Sequence, residues 1–437
     1  MTAIRISGAT IVARRALGAA LLAAALASAA GAQTIAITGG KVFPVSGPPI
    51  DHGTVLIRDG RIAAVGANVA IPADAQRVDA TGKWVTPGLI NPATELGLVE
   101  VGFGAGTRET SAKTSDQIAA AFTSWDGLNP QSILLEPAAE DGITSALSMP
   151  SGGLVAGQGA MIDVVRGTRA DLLLRAPAVM VAQIGNDEAA GVGARGQLVS
   201  KLRQLLDDTK FYAAHRDAFD RAQTRAFIAG RTDLEAMIPV LEGKLPLLIE
   251  ADKASDIESA IALARQYHLR VVIGGGAEAW MEARALASAK IPVLAGAMMN
   301  IPQSFDALGA RQDNAALLRK AGVDVALIGN AGGGDEEAFN VRNIRYEAGN
   351  AVGYGMSWDD ALRAITLEPA EIFGVSDRVG SLQPGREGNV VVWDGDPFEF
   401  ATRATAVFIR GKQVTAPSRQ DLLMRRYETL PPDYMHH

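Results

Sequence analysis

Between residues 84 and 328 the chain carries eight short apolar runs of strand length, and this recurrence restricts the fold more than any other feature. The runs are Trp84–Ile90, Thr144–Met149, Gly159–Val165, Ala176–Gln183, Pro246–Ala251, Leu269–Ile273, Ile291–Ala295 and Val323–Ile328. Several alternate with helical patterns. In Asp256–Gln266, for example, Ala260, Ile261, Leu263 and Ala264 share one stripe, and Ser255 stands near the start as a candidate cap. Eight buried strands with intervening helices predict an α/β fold, a (β/α)8 TIM-like barrel over residues 84–380, with an open doubly wound sheet as the alternative. A helical insertion over about residues 190–244 separates the fourth and fifth runs, and Leu202, Leu205, Leu206, Phe211, Phe219 and Phe227 are its packing residues.

The ends of the chain have a different texture. Thr34–Ile37, Thr54–Ile57 and Arg61–Val65 are short β runs, and Asp59-Gly60 between two of them is a hairpin signal. The pattern returns in Gly388–Trp393 and Ala406–Ile409, closed by Arg410-Gly411-Lys412. Residues 33–83 and 381–416 therefore predict one small composite β-sandwich built from both ends, followed by a tail over 417–437. Residues 1–32 read as an export signal: Arg5, Arg14 and Arg15 precede an Ala/Leu run, and Ala30-Gly31-Ala32 offers a cleavage site before Gln33. The apolar run is shorter than the ~20 residues a spanning helix needs. A periplasmic or secreted protein with no membrane segment after cleavage follows, its formal charge moving from −7 to −10 as three arginines leave.

With 41 basic against 48 acidic residues and a pI near 5.4, the chain lacks the basic footprint of a nucleic-acid binder. Its composition, 48% hydrophobic and 20% charged, excludes disorder. Zero cysteines remove disulfides, thiolate ligands and a cysteine nucleophile. The segment Gly191–Gly196 matches G-x-G-x-x-G, but Gly185–Ala190 intervene after the preceding run and the nearest acids, Asp207 and Asp208, fall inside the following helix, so it reads as a loop. Asn330–Gly334 reads as a glycine-rich turn at the barrel mouth, with an anion nest as the alternative. Ser151-Gly152-Gly153 lacks the flanks of a nucleophile elbow. Of the five histidines, His52 falls in a turn of the β domain, His215 in the insertion, His268 before the sixth run, and His436 and His437 at the chain end. None stands at the C-terminal end of a barrel run, where such barrels gather catalytic groups. A zinc site built from histidines is therefore not expected.

The stretch Thr86-Pro87-Gly88-Leu89-Ile90-Asn91-Pro92-Ala93-Thr94-Glu95 resembles the first-strand signature of the amidohydrolase superfamily, T-P-G-[LF]-[IV]-D-x-H-x-H. Asp126–Pro130, Ser151–Gly159, Thr366–Ala370 and Gly380–Gly385 leading to Asn389–Asp394 are similar to its imidazolonepropionase-like branch. The resemblance covers nearly all of the chain after the signal. It implies a composite β-sandwich beside a (β/α)8 barrel, and hydrolysis of carbon–nitrogen bonds other than peptide bonds at a site of one or two divalent metals. The ligand positions it implies have changed. The H-x-H pair reads Ala93 and Glu95, the position after strand five reads Glu250, that after strand six Gly275, and the aspartate after strand eight is Asn330. An Asn amide cannot take a proton from metal-bound water as an aspartate would.

If Glu95 and Glu250 converge at roughly 5 Å, they repel by ~3 kcal/mol at an effective dielectric of about 20. A bound cation, a nearby Arg or Lys, or protonation of one glutamate would offset that. Oxygen ligands would favour Mg, Mn or Ca over zinc. Two function readings follow. One is a ligand-binding protein, or the non-catalytic partner of an active relative or of its own copies, with no cofactor and with a small-molecule ligand that the sequence does not name. The other is an atypical hydrolase acting through Glu95 and Glu250, with Asn330 at the same mouth, either metal-free or with a hard divalent cation.

Overall fold

The computed structural model describes residues 34–101, 105–112, 117–185, 194–298, 302, 304–329, 339–415, 417 and 419–428. Strands β1 (Thr34–Val42), β2 (Ile50–Arg58) and β3 (Arg61–Gly66) form an antiparallel meander. The turn between β2 and β3 is Asp59-Gly60, both at positive φ (53° and 75°), the backbone a two-residue hairpin demands. β4 (Gln76–Asp79) and β5 (Trp84–Pro87) then return parallel to β1, the first pairing with its early residues and the second with Lys41 and Val42. The register of β1 shifts between these two partners, at Gly40. His52 stands in β2 beside that shift, with φ 51°, rather than in a turn between strands.

After β5 a single residue, Gly88, carries the chain into the barrel. A Cβ there would run into the Thr144 side chain, so the junction requires glycine. The run Trp84–Ile90 thus divides between two sheets. The barrel comprises β6 (Leu89–Thr94), β7 (Ile143–Ser148), β8 (Val155–Asp163), β9 (Leu173–Gln183), β10 (Leu247–Ala251), β11 (Val271–Gly275), β12 (Val293–Ala295) and β13 (Val325–Leu327). They pair in sequence order, and β13 lies beside β6 to close the ring. A doubly wound sheet would reverse its strand order partway; this one does not. One strand departs from strict β/α alternation. β8 is antiparallel to both neighbours, so the second, third and fourth strands run as successive hairpins, while every other paired neighbour is parallel.

The chain ends return to the first domain through β14 (Val390–Trp393), β15 (Ala404–Ile409) and β16 (Lys412–Gln413). β14 lies antiparallel against β5, which joins the two halves of the sheet. Ile35, Ile37, Val55, Ile57, Val85, Val390, Val392 and Phe408 form its core.

Period-two alternation sorts the barrel strands into two cores. In β10, Leu247, Ile249 and Ala251 face the surrounding helices, whereas Leu248 joins Ile90, Leu147, Met161, Val181, Val272 and Leu294 in the lumen. Phe373, Val375 and Val379 pack onto that lumen cluster. Helices α1 (Arg195–Ala214) and α2 (Arg231–Leu241) form the insertion; Leu202, Leu205 and Leu206 are fully buried, and Phe219 stacks on Phe227 at 5.6 Å. Phe211 is instead exposed and stacks on His215, because it lies on the outer face of α1. Helix α3 (Ala254–Tyr267) buries the expected stripe, but its cap is Lys253 and Ser255 lies inside it. Its first amide is satisfied from outside: Ala254 N donates to Glu278 Oε2 at 3.0 Å. Helices α4 (Ile344–Gly353) and α5 (Trp358–Ala364) follow the last barrel strand, and α6 (Arg419–Tyr427) follows β16. Among the described residues, no helix is long and apolar enough to cross a membrane.

Candidate functional site at the barrel mouth

The parallel strands deliver their C-terminal ends to one face, and the residues that follow them line its mouth. In β10 the lumen-facing series continues past Leu248 to Glu250, so this carboxyl sits one layer above the apolar filling. Its register neighbours are Gln183 on β9 and Gly274 on β11. Gly274 has no side chain to fill the layer; a Cβ there would lie 3.0 Å from Leu248 and 3.5 Å from Glu250 Cγ.

Glu95 follows β6 and is buried, 4% exposed. The loop beyond it doubles back on itself. Leu98 N bonds to Glu95 O, Glu109 N to Leu98 O, and Val99 bridges Arg108, so the return strand sets Arg108 beside Glu95. Arg108 Nη2 reaches Glu95 Oε2 at 3.2 Å. Ser151, in the loop after β7, donates from its hydroxyl to Glu95 Oε1 at 3.3 Å, and its own amide is held by Thr110 O at 2.9 Å. Gly152 and Gly153 follow at φ 88° and 70°, a turn open to glycine, so the motif's use here is to bring a hydroxyl to a carboxylate.

Glu250 stands in contrast. Among the described residues its carboxyl has no hydrogen-bond or ion-pair partner, and burial, with the nearby charges of Asp252 and Glu95 added, pushes its pKa up to about 7. Asp252 is raised for the same first reason, burial, although the amide of Ala277 donates to it at 3.1 Å. The repulsion expected between the two glutamates is therefore relieved by a guanidinium beside Glu95 and, below about pH 7, by a proton on Glu250.

Around this centre the rim is tied by ion pairs. Arg195, the fifth residue of the G-x-G-x-x-G segment, pairs with Asp256 at 2.9 Å and with Asp306, and donates to Gly185 O at 2.8 Å. Residues 191–193 of that segment lie outside the described residues, as do Asn330 and the glycines after it. Ala93 presents only a methyl group and is 9% exposed. Gly275 sits at φ 81°, and a Cβ on it would lie 2.5 Å from Asp252 Oδ1. His268 caps α3 on the opposite side of the strand from the mouth. Among the described residues, no three His, Cys, Asp or Glu side chains gather as a metal ion would require.

The structure thus brings Glu95 and Glu250 within electrostatic reach of each other and adds Arg108, Ser151 and Asp252, which sequence reasoning did not select. Arg108 had no local signal: its partner is thirteen positions away, across a loop return that no periodicity announces. Asp252 had one, since it continues the alternation of Leu248 and Glu250.

Comparison with known proteins agrees with this architecture. A description of the Amidohydrolase family matches residues 231–415. Imidazolonepropionase from Mesorhizobium japonicum is 24% identical over 382 residues, covering 79% of this chain and 87% of the relative. That from a Methylobacterium species is 26% identical over 386 residues, covering 81% and 90%. The crystal structure of an amidohydrolase from Thermotoga maritima superposes with a TM-score of 0.78 at 29% identity, covering 88% of this chain and all of that one. In its barrel and flanking β domain, its first-strand signature and these relatives, the chain is similar to the amidohydrolase superfamily and, within it, to the imidazolonepropionase-like branch.

Proposed function

We propose that this is an exported amidohydrolase-superfamily protein whose barrel mouth holds a small-molecule ligand, or a partner subunit's substrate, without a metal centre. The observation that carries the reading is the Glu95–Arg108 pair. In the family position for a metal ligand stands a carboxylate already neutralised by a cation from the same chain. A divalent ion beside Glu95 would meet that guanidinium's charge within a few ångström, in a setting of low dielectric. Of the other positions, Ala93 and Gly275 carry no donor side chain, and Gly275 has no room for one. Export rests on the signal read in residues 1–32 and places the cleaved chain in the periplasm or outside the cell.

The test is elemental analysis of the cleaved chain, purified without a His tag or chelator and dialysed against metal-free buffer, followed by calorimetric titration with Zn²⁺ and Mn²⁺. Trace metal and no saturable binding are expected. A full equivalent of tightly held divalent metal would overturn the reading.

A second reading is favoured by Glu250. Two carboxylates, one paired with arginine and one holding a proton near neutral pH, are the division of labour that acid/base hydrolysis uses. On this reading Glu95 orients the attacking water and takes its proton as the new C–O bond forms, while Glu250 gives its own proton to the leaving nitrogen as the C–N bond breaks. Assay of small amides, lactams and ureas with the parent chain and a Glu95→Gln/Glu250→Gln variant decides it. Turnover lost in the double variant supports it, and turnover unchanged excludes it.

A further inference from the structure

Away from the mouth, a cleft of about 720 Å³ opens between α4 and the connection from β14 to β15. Its walls are aromatic: Tyr346, Tyr354, Trp358, Phe398 and Phe400. Phe400 is 74% exposed although its ring lies 5.2 Å from that of Tyr346. The charged groups lining the cleft, Asp396 and Glu399, are both acidic. Asp396 is fixed in place by the indole N–H of Trp358 at 3.0 Å and the amide of Phe398 at 3.0 Å, and its oxygens keep lone pairs for a further donor. An exposed aromatic cleft with carboxylates and no cation among its lining residues is suited to a cationic, apolar partner.

The same chain carries such a partner. Helix α6, Arg419–Tyr427, places Leu423, Met424 and Tyr427 on one side at 100° per residue, with Arg419 and Arg426 alongside. Leu422, Met424 and Tyr427 are 53%, 69% and 59% exposed. A nine-residue helix with so little of itself buried falls below the length at which helices hold alone in water, roughly 12–15 residues, and needs a surface to pack on. It does not line its own chain's cleft.

We propose that two copies of this chain associate by laying α6 of each into the aromatic cleft of the other. Leu423, Met424 and Tyr427 fill the aromatic walls, and Arg426 meets Asp396 and Glu399. Complementarity of charge selects the occupant, arginine being the residue that both pairs with carboxylates and stacks on aromatic faces. Size sets the symmetry. A specific interface buries roughly 1,200–2,000 Å² in total. One helix this short cannot supply that area, so the contact has to be made twice about a two-fold axis. The proposal is independent of the chemistry at the barrel mouth.

The absence of cysteine makes a direct test possible. Gly353 lines the cleft, and a Cβ on it meets nothing within 4 Å, so Gly353→Cys introduces a thiol without strain. Met424→Cys places one on the helix. Mixing the two singly substituted chains under mild oxidation should give a disulfide-linked pair that neither chain forms alone. A chain carrying both substitutions and closing the bond within itself at high dilution would show that α6 covers its own cleft, and would overturn the proposal. Light scattering of the full chain should report a dimer, and Arg426→Glu should weaken it by about tenfold or more, with recovery when Glu399→Arg is added. A monomer at all concentrations, or a dimer indifferent to both charge changes, overturns the proposal as well.

Discussion

The guanidinium of Arg108 stands 3.2 Å from the carboxylate of Glu95, at the end of a loop held closed by the bond from Glu109 N to Leu98 O. Glu95 is almost fully buried, whereas about a third of the Arg108 side chain is exposed. Removing the arginine takes a cation away from a buried carboxylate that Ser151 also contacts. Arg108→Met should therefore destabilise the fold by about 1–3 kcal/mol, below the figure for a fully buried pair because solvent reaches the arginine. Urea denaturation measures this, and combining Arg108→Met with Glu95→Gln should recover more than half of the loss. A double variant as unstable as the sum of the singles would show that the pair is not coupled.

Glu250 makes stability depend on pH in a predictable direction. Its pKa moves from 4.5 to about 7 on folding, so the folded state holds more protons than the unfolded state between those values. Stability contributed by this group is present at acidic pH and falls as pH rises from about 4.5 through about 7. The full difference is at most about 3 kcal/mol. Glu250→Gln should be more stable than the parent at pH 8, match it more closely near about pH 4.5, and flatten the intervening slope. Denaturation midpoints across that range test the sign.

Much of the architecture was legible because it is written in local periodicity. Seven of the eight apolar runs overlap barrel strands alone and the first, Trp84–Ile90, is shared between β5 and β6, while Asp59-Gly60 turns a hairpin because positive φ is demanded at both positions. What periodicity does not encode is direction and partnership. The run Gly159–Val165 reads like its neighbours, yet β8 runs antiparallel, because the connections on both sides of it lack a crossover helix of useful length. Phe211 has the composition of a core residue but the angular position of a surface one. At the mouth, Glu95 and Glu250 were found through the family signature, whereas Arg108 and Ser151 depend on loop returns that only three-dimensional structure fixes.

Gly275 tests whether the mouth could be refilled with a ligand. Its φ of 81° disfavours any residue with a Cβ, and that Cβ would press on Asp252 Oδ1 at 2.5 Å. Gly275→Ala should destabilise by roughly 1–3 kcal/mol. Adding Asp252→Ala relieves the contact but not the backbone conformation, so thermal denaturation should show partial recovery. Complete recovery would place the whole cost in the contact, and no loss at all would refute both terms. Gly275→His inherits the same strain, which is why restoring that one residue should not restore metal affinity.

The junction between the domains rests on a buried carboxylate. Asp163, at the end of β8, is wholly buried; Ser145 donates to it at 2.9 Å and Arg410 at 2.7 Å. Arg410 also approaches Glu387, which Arg378 holds from the other side. Burial raises the pKa of Asp163 even with Arg410 beside it. A raised carboxyl pKa favours the folded state at low pH and disfavours it as pH rises, so the arginine is needed most when Asp163 is ionised. Arg410→Met should then remove about 2–4 kcal/mol near neutral pH, because the carboxylate left behind is buried without its cation. The deficit should shrink as pH falls and Asp163 takes up a proton, and Asp163→Asn in the same chain should recover part of it at neutral pH. Because the pair links β8 to the end of β15, the loss should also separate unfolding of the β domain from that of the barrel. Two transitions in Arg410→Met against one in the parent would show that this ion pair couples the domains. A single transition with an unchanged midpoint at neutral and at acidic pH would place the coupling elsewhere, in the apolar packing around Trp393 and the bond from its indole N–H to Thr86 at 2.9 Å.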